Sequence, residues 1–145
     1  VFKELMAKER VTFADGFDSW EDAVRAAARP LLRDGAIEET YIDSMIACIN
    51  QYGPYIVIAP DIAMPHAQGG SGVRENAVSF MKVSRPVHFS DSREHDARLL
   101  FVLASVDNTS HLGMLQTLVE AISDEKFLSD LLQVEGMEEL RRLIA

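Results

Sequence analysis

Leu99-Leu100-Phe101-Val102-Leu103-Ala104 is apolar at every position. A strand with one wet face alternates apolar and polar residues, whereas a run apolar on both parities belongs to a strand covered on both faces. The stretch therefore predicts a central strand with helices on either side of its sheet. Downstream, Asp107-Asn108-Thr109-Ser110 is a cluster of helix-capping residues. His111 then opens a helix whose expected stripe is Leu112, Leu115, Leu118, Val119 and Ile122. Upstream, Ala77 to Val83 alternates as a strand that Pro86 should close. Further upstream, Ile56-Val57-Ile58-Ala59-Pro60-Asp61-Ile62-Ala63-Met64 reads as another buried strand. Pro65 must end it, because proline fixes its own φ and lacks a backbone donor.

The N-terminal third reads as helix-rich. Phe2 to Met6 suggests a short helix and Val11-Thr12-Phe13 a short strand. Asp18-Ser19 offers an N-cap, with Glu21 and Asp22 in the first turn of a helix carrying Trp20, Val24, Ala27 and Leu31 at helical spacing. Pro30 is expected to kink or break that helix. After Gly35, a second helix runs from about Glu38 to Tyr52, with Tyr41, Ile42, Met45, Ile46, Cys48 and Ile49 on its buried face. Gly53-Pro54 ends it, and two short helices close the chain around Phe127 to Leu132 and Met137 to Ile144. Helices and strands are mixed in order, with no internal repeat and no linker. The expectation is one α/β domain over residues 1–145, a mixed β-sheet sandwiched by helices on both faces.

Composition narrows the function. Hydrophobic residues are 48% and charged residues 26% of the 145, ordinary values for a globular protein. The formal net charge is −9, which disfavours nucleic acid and anionic membranes as partners and suits a basic protein partner. One cysteine, Cys48, rules out an internal disulfide and a CxxC metal motif, and its apolar helical setting reads as a core filler. A cytoplasmic location fits, and no apolar stretch approaches the ~18 residues of a membrane span.

Four histidines are present: His66, His88, His95 and His111. His66 stands at the end of a buried strand and the lip of a loop, Gln68-Gly69-Gly70-Ser71-Gly72. Imidazole suits the acceptance and release of a group near neutral pH. His111 lies in the first turn of the helix after the central strand. Strand ends and helix starts meet on one rim of an α/β sheet, so the two histidines can converge there. A helix start also supplies positive partial charge to an anion. Gly69, Gly70 and Gly72 are candidates to offer backbone N–H groups to a phosphate. The plain alternatives are a carbonyl-satisfied or surface His66, a solvent-facing His111 and a merely flexible loop. His88 and His95 lie in polar surroundings and read as solvated. The histidines lack zinc-motif spacing, so no metal is expected. Ser71 lacks the last glycine of a GxSxG elbow because Val73 stands there, and no Walker A or GxGxxG pattern occurs.

Gln51, Ile58-Ala59-Pro60-Asp61-Ile62-Ala63-Met64-Pro65-His66-Ala67, Pro86-Val87-His88-Phe89, the strand Leu99 to Ala104 and the segment from Asp107 through His111-Leu112 to Leu118 resemble one known family. It is the mannitol/fructose type of enzyme IIA in the bacterial sugar phosphotransferase system. Gly53-Pro54-Tyr55-Ile56-Val57-Ile58-Ala59-Pro60 is most similar to its ascorbate-specific branch. The resemblance implies that His66 accepts a phosphoryl group from HPr on its distal nitrogen. The group then passes to a cysteine of enzyme IIB, and from there to a sugar, ascorbate foremost, entering through the membrane enzyme IIC. His111 matches the second active-site histidine, which stabilises the group, and no cofactor is implied. The chain departs from the mannitol pattern at Ile49-Asn50-Gln51, where those members carry an arginine. Arg74, just past the glycine loop, is the candidate replacement. Two alternatives stand beside phosphoryl carriage: a regulatory enzyme IIA-like domain acting on a transcription regulator or transporter, and a binding module without catalysis. Retention of both His66 and His111 speaks against the latter.

Overall fold

The computed structural model describes residues 1–67 and 71–145. The elements in order are α1 (Phe2–Ala7), β1 (Val11–Ala14), α2 (Trp20–Arg33), α3 (Glu39–Tyr52), β2 (Val57–Ala59), β3 (Asp61–Ala63), β4 (Ala77–His88), β5 (Asp96–Ala104), α4 (Asn108–Ile122), α5 (Glu125–Gln133) and α6 (Met137–Ile144). Among the described residues the strands form one sheet in the order β1-β4-β5-β3-β2. β1 is parallel to β4 and β3 is parallel to β5, while β4/β5 and β2/β3 are antiparallel. The sheet is mixed, as the irregular order of helices and strands predicts.

The reading of the central strand holds residue by residue. Leu100, Val102 and Ala104 enter a core built with α2 and α3. Leu99, Phe101 and Leu103 enter the opposite core, built with α1, α4, α5 and α6. All six side chains are buried, so each parity of the strand has its own apolar layer.

Several local expectations need correction. The run from Ile56 to Met64 is not one strand. It folds back at Pro60-Asp61 into β2 and β3, and Asp61 takes a left-handed φ of 68°. Proline suits the first corner of such a turn, and an aspartate tolerates the left-handed second corner. Arg98 on β5 grips the Asp61 carboxylate through Nε and Nη2 at 3.0 and 2.9 Å. Pro30 does not break α2, which continues to Arg33. It stands in the last turn, where little helix remains beyond it to disrupt, and its ring is buried. Pro86 does not close β4, which reaches His88 through a register shift between Lys82 and Val87. The shift leaves Ser84, Arg85 and Pro86 exposed, where a missing ladder donor costs little.

The α4 helix opens at Asn108, capped by Asp107, so His111 is its fourth residue. Its buried seam is narrower than the expected stripe: Leu118 and Ile122 are buried, but Leu112 is 66% and Val119 44% exposed. Only one side of α4 faces the sheet. Cys48 is not a fully buried core filler but half-buried, at the margin of the buried face of α3 and beside Tyr55.

Candidate active site

Beyond β3 the chain stays beside β5. Met64 N donates to Ile56 O at 2.8 Å, and Leu103 N donates to Pro65 O at 3.1 Å. This carries His66 to the end of the sheet where β5 gives way to α4. There Asp107 caps the helix, its carboxylate accepting from Ser110 N at 2.7 Å, and its carbonyl accepts from His111 N. Bonds from the Ser110 backbone N–H and hydroxyl hold the Asp107 carboxyl below its usual range. The His66 and His111 rings face one another, centroids 5.0 Å apart at 38°. Tyr55 meets the His66 ring edge-on at 5.4 Å.

His66 Nδ1 lies 2.6 Å from the carbonyl oxygen of Met64. A carbonyl only accepts, so Nδ1 carries the proton and donates it. In the neutral ring the lone pair is then on Nε2. Burial pushes the His66 pKa below its ordinary value. The bond to Met64 opposes that shift, and the neighbouring His111 adds to it. The ring is therefore neutral at physiological pH, with one nucleophilic nitrogen of defined identity. Such a group can take up an electrophilic phosphoryl, and a second imidazole stands beside it to meet the incoming charge. Among the described residues no group of three or more His, Cys, Asp or Glu side chains is arranged to hold a metal ion.

The family described as phosphoenolpyruvate-dependent sugar phosphotransferase system, EIIA 2, matches residues 4–145. The chain belongs to that family. The EIIA component is a phosphotransferase, and phosphoryl carriage is its function. The ascorbate-specific EIIA component of Mycoplasma pneumoniae is 32% identical over 114 residues, 78% of this chain and 71% of that protein. The solution structure of the mannitol-specific cryptic phosphotransferase enzyme IIA from Escherichia coli superposes with a TM-score of 0.87 at 27% identity, covering 99% of this chain and 97% of that one. The fold is also that of mannitol enzyme IIA in its complex with phosphorylated enzyme IIB from Escherichia coli, with a TM-score of 0.80, 22% identity and coverage of 94% of each chain.

Within this EIIA component, His66 and His111 meet as their positions at a strand end and a helix start imply. The other candidates stand elsewhere or do something else. Gly69 and Gly70 lie outside the described residues. Gly72 has φ 83°, and a Cβ there would come within 2.7 Å of Thr40 Oγ1 and Tyr41 N. Its carbonyl accepts from Glu38 N. It serves close packing against the start of α3. Arg74 pairs with Glu38 at 2.8 Å and is largely exposed. Both are thus engaged with α3 rather than with either histidine ring.

His88 and His95 sit at the other end of the sheet. His88 is bonded to Asp96 at 2.7 Å with its side chain 72% exposed, and His95 Nδ1 is 2.7 Å from Ser90 Oγ. Two further residues at the site carry no functional signal in the sequence beyond an apolar helix face and a shared motif. Tyr41 places its hydroxyl between Leu103 O and Ala67 N, and Tyr55 donates to His66 O at 2.9 Å. The signal for Tyr41 was its place on an apolar helix face, where a buried phenol needs a polar partner.

Proposed function

We propose that this EIIA component accepts a phosphoryl group from phospho-HPr on Nε2 of His66 and passes it, in the cytoplasm, to a cysteine of an enzyme IIB. The observation that carries the reading is the Nδ1–H bond to Met64 O, which leaves Nε2 as the lone-pair nitrogen of a neutral ring. The Nε2 lone pair attacks phosphorus while the P–N bond of the donor histidine breaks, its electron pair returning to that imidazole. In the second step the enzyme IIB thiolate attacks phosphorus and the P–N bond to His66 breaks. The pair returns to Nε2, and Nδ1 keeps its proton on Met64 O throughout. His111 hydrogen-bonds the phosphoryl oxygens as charge moves, directly or through one water.

Ascorbate is the proposed sugar, supported by the relative from Mycoplasma pneumoniae, whose name states that specificity. Enzyme IIB as acceptor is supported by the complex formed by a protein of the same fold. A basic HPr face suits the −9 charge. The test is incubation with phosphoenolpyruvate, enzyme I and HPr, followed by mass spectrometry under alkaline handling. A single phosphate on His66 is expected. Phosphate on another residue, Cys48 included, overturns the reading. Onward transfer to the enzyme IIB of an ascorbate system, measured against that of a mannitol system, decides the sugar.

A further inference from the structure

His66 is not part of a strand: β3 ends at Ala63, and residues 64–67 belong to no regular element. A strand ladder therefore does not hold the peptide unit that follows His66. Two phenols do. That unit carries His66 O at one end and Ala67 N at the other. Tyr55, from the connection between α3 and β2, donates its hydroxyl to His66 O at 2.9 Å. Tyr41, from α3, accepts from Ala67 N at 3.1 Å. The same Tyr41 hydroxyl donates to Leu103 O at 2.5 Å, on the strand that leads into α4 and His111. Burial pushes both phenols up to about 12, so each remains a protonated donor across the working range of pH.

We infer that Tyr55 and Tyr41 form a two-point clamp on the His66–Ala67 peptide that holds the His66 ring against His111 and sets the separation of the two rings. They are positioning residues. With that peptide plane fixed, ψ of His66 is fixed, and the Nδ1 bond to Met64 O sets the ring. Tyr41 adds what a local turn cannot supply, since one hydroxyl ties the His66 segment and the His111-bearing strand to a common point. A reacting atom displaced by about 1 Å loses on the order of 100-fold in rate, so two hydroxyl groups remote from phosphorus carry kinetic weight.

The inference rests on His66 as the phosphoryl acceptor for its kinetic arm only. Y55F keeps the ring against His66 and removes the hydroxyl alone, and is the primary variant. Y41F also strips Ala67 N and Leu103 O of a partner, and serves as the second. Phosphorylation by phospho-HPr is followed at varied HPr concentration, and the imidazole 15N shifts of His66 are recorded without any phosphate donor. Expected for Y55F is a fall of about tenfold in the saturating rate, with KM within about twofold of wild type. The 15N shifts should move from a fixed Nδ1–H tautomer toward an average of the two tautomers. A rise in KM alone, a wild-type saturating rate, or unchanged 15N shifts in both variants overturns the clamp. If wild-type protein takes no phosphate on His66, the proposed function fails, and the 15N shifts by themselves decide the clamp.

Discussion

Each end of the sheet holds two histidines, and they differ in what their ring nitrogens meet. Where β5 begins, His88 is turned to solvent on the Asp96 carboxylate, and His95 is tied to the Ser90 hydroxyl. Where β5 ends, His66 is half-buried, tied to a backbone carbonyl and set with its ring tilted against that of His111. A carboxylate in water anchors an imidazole at the surface and occupies its Nδ1. A backbone carbonyl under an apolar cover fixes one tautomer of a neutral ring and leaves a lone pair to react. The beginning of β5 has strain and charge, in left-handed Asp61 and its Arg98 clasp, yet these bonds satisfy one another. At the end of β5, no hydrogen bond engages Nε2 of His66 among the described residues. Reactivity thus follows from how a histidine is desolvated and which nitrogen is already engaged.

That contrast is broken most sharply by substitution of the histidines themselves. H66A is expected to abolish phosphoryl labelling from phospho-HPr while the protein stays folded, and H88A and H95A to label at the wild-type rate. Mass spectrometry of the four proteins in parallel checks this, and labelling of H66A would erase the distinction between the two ends. H111A should still be labelled in a long incubation, but its transfer to enzyme IIB should slow on the order of 100-fold. That is about 3 kcal/mol, the typical cost of one lost preorganised donor. Quenched-flow measurement of the transfer reads it, and a wild-type rate removes the proposed role of His111.

The beginning of β5 should answer to stability and not to rate. R98A removes a bidentate partner from Asp61 and should cost about 1 kcal/mol in urea unfolding, with phosphorylation unchanged. A rate loss as large as that of H111A would couple the two ends and contradict the comparison. The smallest effect is on pH. Native His66 is held below its ordinary 6.5, mainly by burial, so the unfolded chain takes up the proton first as the pH falls. This contribution to stability is complete above about pH 6.5 and is lost as the pH drops through the lowered native value. H66Q should flatten the acid limb of the stability curve, which melting scans from pH 7 to 4.5 will show.

Much of this protein is legible in its sequence wherever burial pattern alone decides. The two apolar parities of Leu99 to Ala104 specify a strand with two cores, and the helices that fill those cores follow from spacing and caps such as Ser19 and Asp107. The readings fail where one residue's effect depends on what lies across the fold. Pro60 reads as the interior of a strand and Pro86 as the end of one, and the fold reverses both. One turns the chain back beside Arg98, and the other rides in a bulge that faces solvent. Leu112 has the spacing of a core residue but lies on the exposed side of a helix packed along one face.

By itself the sequence determined the α/β sandwich, the family and the two histidines as candidates, because hydrophobic periodicity and a motif are local properties. Packing alone brings the two rings together, puts the proton on Nδ1 of His66 and sets two phenols on the next peptide. Those facts depend on carbonyls and hydroxyls brought together from α3, β5 and the segment after β3. A hydrogen bond across the fold has no period in sequence. It exists only once the packed cores have set the elements at bonding distance.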